Sequence, residues 1–150
     1  MLVYRACKQA HVCQLDGEGA RQCGGRWNSP GIPVVYCASS RSLAILETIV
    51  NVGSVDLIPD DYMMLEINIP DGISAATVQY EELTAGFLLA ETRKMGDRWM
   101  KSCNSAILIV PSKVVCQEQN ILINPAHPSA TQISVTNQQS FKELDKRLFK

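Results

Sequence analysis

The chain has 150 residues, 46% of them hydrophobic, with 14 Lys and Arg against 15 Asp and Glu for a net charge of -1. That length suits one domain with a core that needs no disulfide or metal staple. Balanced charge, with no tail or stripe of either sign, argues against broad electrostatic capture of nucleic acid or of an anionic membrane surface.

The start, MLVYRACKQAHV, lacks a basic segment leading into a signal-length apolar run, and no window approaches the ~18 uninterrupted apolar residues of a membrane span, so a cytoplasmic protein is expected. LVYRA (2–6) alternates as an opening strand, and the next twenty or so residues read as loop with a short helix. PVVYCAS (33–39) is β-branched and aromatic between proline-glycine and serine punctuation, which predicts a buried strand. Ser39 or Ser40 then caps a helix, SLAILETIVNV, that runs to Gly53. YMMLEINIP (62–70) is a further strand and TVQY (77–80) a short candidate. EELTAGFLLAETRK (81–94) and GDRWMKSC (96–103) read as helix broken near Gly96, and AILIVPS (106–112), NILINP (120–125) and QISVT (132–136) as strands. SFKELDKRLFK closes the chain as an amphipathic helix. Strands and helices without regular βαβ alternation predict an α+β single domain, mixed sheets with flanking helices.

On the helix after PVVYCAS, spacing of about 100° per residue puts Leu43, Leu46 and Val50 on one face and Arg41, Thr48 and Asn51 opposite, with Glu47 at the border. Arg26 lies just before the strand beside two glycines, where its planar fork is suited to a phosphate or carboxylate, though a surface ion pair explains it as well. Tyr36 shares a strand face with Val34 and Ala38, as a core tyrosine with one satisfied hydroxyl would. His11 with Cys7, Cys13 and Cys23 matches no usual zinc spacing, and His127 sits in a proline-bracketed turn. The six cysteines, which also include Cys37, Cys103 and Cys116, are irregularly spaced without a CxxC and read as small buried hydrophobes.

In combination these segments are recognisable. GGRWNSPGIPVVYCASSRSLAILE resembles the first signature of the RES domain family, named for arginine, glutamate and serine. WMKSCNSAILIVPSKVVCQEQNILINPAHP resembles its second signature, with Ser112 in VPS and the Asn124–Pro125 turn, and DKRLF resembles the usual end. The resemblance implies one RES domain over 1–150 and a fold similar to that of ADP-ribosyltransferase toxins. It implies a bacterial toxin that acts on NAD as substrate, with no metal expected. Arg26, Tyr36, Glu47 and Ser112 become the active-site set, with Arg5 in the opening strand a further substrate-binding candidate.

Cleaving the nicotinamide–ribose bond develops positive charge on the sugar, as in glycoside hydrolysis, and a carboxylate is the natural stabiliser. Glu47 is given that role, Arg26 the diphosphate, Tyr36 the nicotinamide ring, and Ser112 either the substrate or the support of Glu47. The acceptor is open between water, phosphate and a protein side chain. The family also implies an antitoxin partner with an Xre-like helix-turn-helix domain and a homodimer within the complex, with no direct contact to nucleic acid or membrane. The competing readings are a binding module with the same pocket but no turnover, and a cysteine- or zinc-based regulator.

Overall fold

The computed structural model describes residues 1–54, 57–84, 86–143, 145 and 147. Among these, seven strands make one sheet: β1 (Leu2–Lys8), β2 (Val35–Ala38), β3 (Tyr62–Asn68), β4 (Ala75–Thr77), β5 (Ile107–Pro111), β6 (Gln119–Ile123) and β7 (Ser134–Ser140). Their order across the sheet is β4-β5-β6-β2-β1-β3-β7. β4 and β5 run parallel and every other neighbouring pair is antiparallel, so the mixed character expected from the sequence lies within a single sheet. β1 and β3 are registered at seven positions, whereas β1 and β2 meet only at Tyr4 and Ala38. The sheet therefore parts between β1 and β2.

Alternation along the strands gives the sheet two different faces. Val3, Val35, Cys37, Leu65, Ile67, Ile107, Ile121 and Ile123 form one core layer, closed by Val12, Leu15, Ile73 and Ile133 from the connections. The opposite face takes two helices. α3 (Leu89–Ser102) lays Trp99 and Met100 on Leu108, Val110 and Leu122, while α2 (Arg41–Val52) packs Leu43 and Ala44 near Ala38 and Met64. A third helix, α1 (Glu18–Cys23), lies in the connection between β1 and β2. α2 begins where Ser40 accepts a hydrogen bond from the Leu43 N–H at 3.1 Å and ends at Gly53 in the left-handed conformation, φ 86°, that glycine adopts without steric cost.

Several expectations are corrected. The helix does not break at Gly96: α3 runs through it, and a Cβ there would overlap the Trp27 carbonyl oxygen, so the glycine serves a close approach of helix and loop. Residues 81–84 and 86–88 are not helical beyond a 3-10 turn at Tyr80–Glu82, and residue 85 lies outside the described residues. The short edge strand is Ala75–Thr77, not 77–80, because parallel pairing with Ile107–Ile109 selects it. β7 continues past Thr136 to Ser140 in polar sequence, which an edge strand tolerates. Of the closing helix, Phe141–Glu143 is one 3-10 turn, and residues 144, 146 and 148–150 lie outside the described residues. No helix among the described residues is long and apolar enough to cross a membrane.

Candidate active site

β2 and β6 lie in mid-sheet, with Ala38 opposite Asn120 and Tyr36 opposite Leu122, and they present Tyr36 and Asn120 to the face that carries the two helices. A cavity of about 130 Å³ opens there, lined by Tyr4 and Arg5 from β1, Tyr36 from β2, Glu47 and Asn51 from α2, and Asn120 from β6. The partly apolar face assigned to α2 is thus rotated. Leu43 is buried, but Leu46 and Val50 are exposed, and it is Glu47, Thr48 and Asn51 that border the cavity. A polar-lined cavity, in place of more core, reverses the inference from hydrophobicity.

Glu47 is held through one oxygen. Its Oε1 accepts from Ser112 Oγ at 2.8 Å and from Asn120 Nδ2 at 2.5 Å. Ser112, fully buried at the exit of β5, accepts from the backbone N–H groups of Val114 and Val115, both at 3.0 Å, so its own proton is directed to Glu47. Of the two roles expected for Ser112, the geometry matches support of Glu47.

Arg5 differs from its neighbours in being unsatisfied. Strand alternation sends it with Val3 and Cys7 toward the other side of β1, where its charge acts on the buried thiols of Cys7 and Cys37, yet it also borders the cavity because β1 and β2 part. Its Nη1 is buried and has no hydrogen-bond partner among the described residues. A buried charged donor left unpaired is costly, and an anionic ligand would relieve that cost.

Tyr36 is anchored at its far end. Its hydroxyl accepts from the Trp27 N–H at 2.9 Å and donates to Asn28 Oδ1 at 2.7 Å, while Asn28, fully buried, donates to the carbonyls of Ala20 and Ile32 at 2.9 and 2.8 Å. Burial pushes the phenol pKa up, so the hydroxyl stays protonated and the ring stays fixed. Arg26 does not line the cavity. Its Nη1 donates to the Phe87 carbonyl at 3.1 Å, its own carbonyl accepts from Thr92 Oγ1 at 2.6 Å, and its charge lies within reach of the Tyr36 hydroxyl. The structure therefore gathers Arg5, Tyr36 and Glu47 at one cavity, with Ser112 behind Glu47 and Arg26 beside the anchored end of Tyr36.

The remaining candidates fall elsewhere. His127 Nδ1 accepts from the Ser129 N–H and caps a 3-10 turn, and His11 Nδ1 lies 2.9 Å from Gln14 Oε1. Cys7 and Cys37 are buried as expected, but Cys13, Cys23 and Cys116 are exposed. Among the described residues no group of three or more His, Cys, Asp or Glu is placed to hold a metal ion. Asn28 and Asn120, both in structural contact with site residues, were not anticipated. The available signal was polar side chains in stretches that fold as tight loop and buried strand.

The RES domain family model matches residues 2–142. A curated relative from Sphingobium sp. (strain YBL2), named as a Prs ADP-ribosylating toxin, is 43% identical over 77% of this chain and 75% of its own length. Proteins named Toxin Res from Photorhabdus laumondii and Pseudomonas putida are 36% and 35% identical over 83% and 87% of this chain, and 82% and 88% of theirs. In fold, the chain is similar to one in the crystal structure of the M. tuberculosis MbcT–MbcA toxin–antitoxin complex, with a TM-score of 0.79 and 19% identity over 99% of this chain and 86% of that one. With the two signatures in order around one cavity and the family model spanning nearly the whole described chain, the protein belongs to the RES domain family of toxins.

Proposed function

We propose that this chain is a toxin enzyme that cleaves NAD at the nicotinamide–ribose bond, with Glu47 as the group that stabilises the sugar cation. The observation that carries the reading is the Glu47 carboxylate, tethered through Oε1 by Ser112 and Asn120 at a cavity also bordered by Arg5, whose buried Nη1 has no partner among the described residues. A carboxylate prepositioned before charge develops stabilises the transition state without reorganising. The pyridinium nitrogen becomes neutral as its bond to the sugar breaks, so no general acid is required and the placement of both histidines elsewhere is no obstacle. A cavity near 130 Å³ takes about one ring. The nicotinamide end enters, stacking on the anchored Tyr36 ring, while Arg5 and, from beside the anchored end of Tyr36, Arg26 serve the phosphates.

Hydrolysis, phosphorolysis and transfer to a protein differ only in what reaches the sugar carbon. The name of the Sphingobium relative favours transfer as the second reading. An antitoxin with an Xre-like helix-turn-helix domain, a homodimer within the complex and a cytoplasmic location belong to the same reading; the complex seen for the M. tuberculosis neighbour supports the antitoxin.

The test is purified protein incubated with NAD, with and without inorganic phosphate, with nicotinamide and the ribosyl product followed by chromatography. Wild type is expected to release nicotinamide and Glu47→Gln to lose roughly 10²-fold or more in turnover while remaining folded. Full activity in Glu47→Gln ends the role, and no release by wild type with any acceptor ends the reading.

A further inference from the structure

Two neutral donors converge on a single oxygen of Glu47, and the consequence lies in the other. Oε1 takes Ser112 Oγ–H and Asn120 Nδ2–H; Oε2 accepts no hydrogen bond from the described residues. No Lys, Arg or His among them forms an ion pair with this carboxylate, although Arg5 borders the same cavity. A cation on Oε1 would offset the charge that an oxocarbenium-like centre needs, whereas an amide donor fixes direction and leaves the charge in place. The two tethers also differ in origin. Ser112 stands at the exit of β5, but Asn120 is a ladder residue, opposite Ala38 on β2 and Val110 on β5. It is set by two neighbouring strands, whereas α2 meets the sheet through packing, the Arg41–Glu66 ion pair at its first turn and the bonds of Glu47 itself.

We propose that Asn120 is a positioning residue for Glu47: it ties the α2 carboxylate to the sheet through Oε1 and so assigns Oε2 as the oxygen that faces the reacting sugar. This rests on the NAD-cleaving reading. Asn120 touches neither ring nor phosphate in this scheme, so its loss changes the rate of the chemical step and leaves substrate binding nearly as it was.

Asn120→Asp supplies a readout that a packing role would not move. A carboxylate at the amide position meets Glu47 Oε1 at hydrogen-bond distance, and two carboxylates sharing a site hold one proton far more tightly than either alone. While that proton is held, the variant donates O–H to Oε1 as the amide donated N–H. Once it leaves, the two anions repel and Glu47 is displaced. The titratable groups at the cavity beside the pair are Tyr4 and Arg5 on β1 and Tyr36 on β2, with Cys37 of β2 turned to the core behind them, while Glu118, just before β6, is turned to the Ser40 hydroxyl. Burial pushes Tyr36 and Cys37 up, so neither ionises in the neutral range.

Nicotinamide release would be measured for wild type, Glu47→Gln, Asn120→Ala and Asn120→Asp from pH 5 to 9, with melting temperatures alongside. The expected result is a fall in kcat of roughly 10-fold to 100-fold for Asn120→Ala with KM within about twofold, the size seen when a supporting partner is removed. Asn120→Asp is expected to approach wild-type kcat at the acid end and lose it as pH rises, a limb that wild type lacks. Turnover by wild type and Asn120→Ala at equal kcat, or parallel pH profiles for wild type and Asn120→Asp, overturns the positioning role alone. An inactive wild type overturns the NAD reading and this role with it.

Discussion

The polar groups around Glu47 and those around Tyr36 sit at neighbouring places on the same sheet face and are used in opposite ways. Near Tyr36 every bond closes: its hydroxyl accepts from Trp27 and donates to Asn28, Asn28 is spent on Ala20 and Ile32, and Arg26 is tied to Phe87. Beside Glu47 the bonding stops short: among the described residues Oε2 accepts no hydrogen bond, and the buried Arg5 Nη1 has no partner. A fully satisfied network rigidifies and holds the loop in place; a partly satisfied one is a cost that folding alone does not explain. The first region builds the wall and the second is open to a ligand.

Substitutions at the two regions should separate activity from stability. Glu47→Gln carries the largest effect, roughly 10²-fold or more in turnover, with a melting temperature near that of wild type. Gly96→Ala reverses the pattern. Its methyl meets the Trp27 carbonyl, and backbone cannot yield as a flexible side chain would. Overpacking of this kind costs about 3 kcal/mol, read by calorimetry as a drop of roughly 6–12 °C; an unchanged melting temperature would show that helix and loop move apart freely. Smaller again is Tyr36→Phe, which keeps the ring but orphans the Trp27 N–H and Asn28 Oδ1 for about 1–3 kcal/mol. Turnover per folded molecule should stay within about tenfold of wild type if the ring alone serves the substrate. A loss as deep as that of Glu47→Gln would instead give the hydroxyl a part in the chemistry.

The division also explains what could be read from the chain. Ser40 and Gly53 bound α2 through contacts a few residues long, and the β-branched strands announce themselves by local composition, so these were legible. Gly96 was not, because its purpose is a carbonyl 69 positions away in sequence, and a glycine within a helical pattern otherwise reads as a break. The orientation of α2 misled for a related reason: hydrophobic periodicity assumes that the inward face is apolar, and here Glu47 and Asn51 border a cavity. Glu47 and Ser112 were found through the two signatures, while their pairing across 65 residues needed the fold. Arg26 stood out for its glycine neighbours, which the structure uses instead to bring backbone against the Tyr36 hydroxyl: a Cβ at Gly25 would lie 2.6 Å from it.

The smallest predicted effect concerns the layer behind the site. Cys37 is buried on the core face of β2, and burial pushes its thiol up to about 12, with the Arg5 charge working against that rise. A folded-state value above the ordinary one means that the native state keeps its proton where the unfolded chain has begun to lose it. The contribution to stability is therefore complete below the unfolded thiol's value near 8.5 and declines as pH rises toward 12. Across the neutral range nothing should change. At pH 8, iodoacetamide followed by mass spectrometry should label the exposed Cys13, Cys23 and Cys116 and spare Cys37, because the reactive species is the thiolate and Cys37 offers neither thiolate nor access. Occupying the cavity should not alter the labelling of the three exposed thiols, none of which lines it. Rapid labelling of Cys37 in the folded protein would mean that the gap between β1 and β2 opens through the sheet, and the contrast between a closed wall and an open site would then fail at the strand they share.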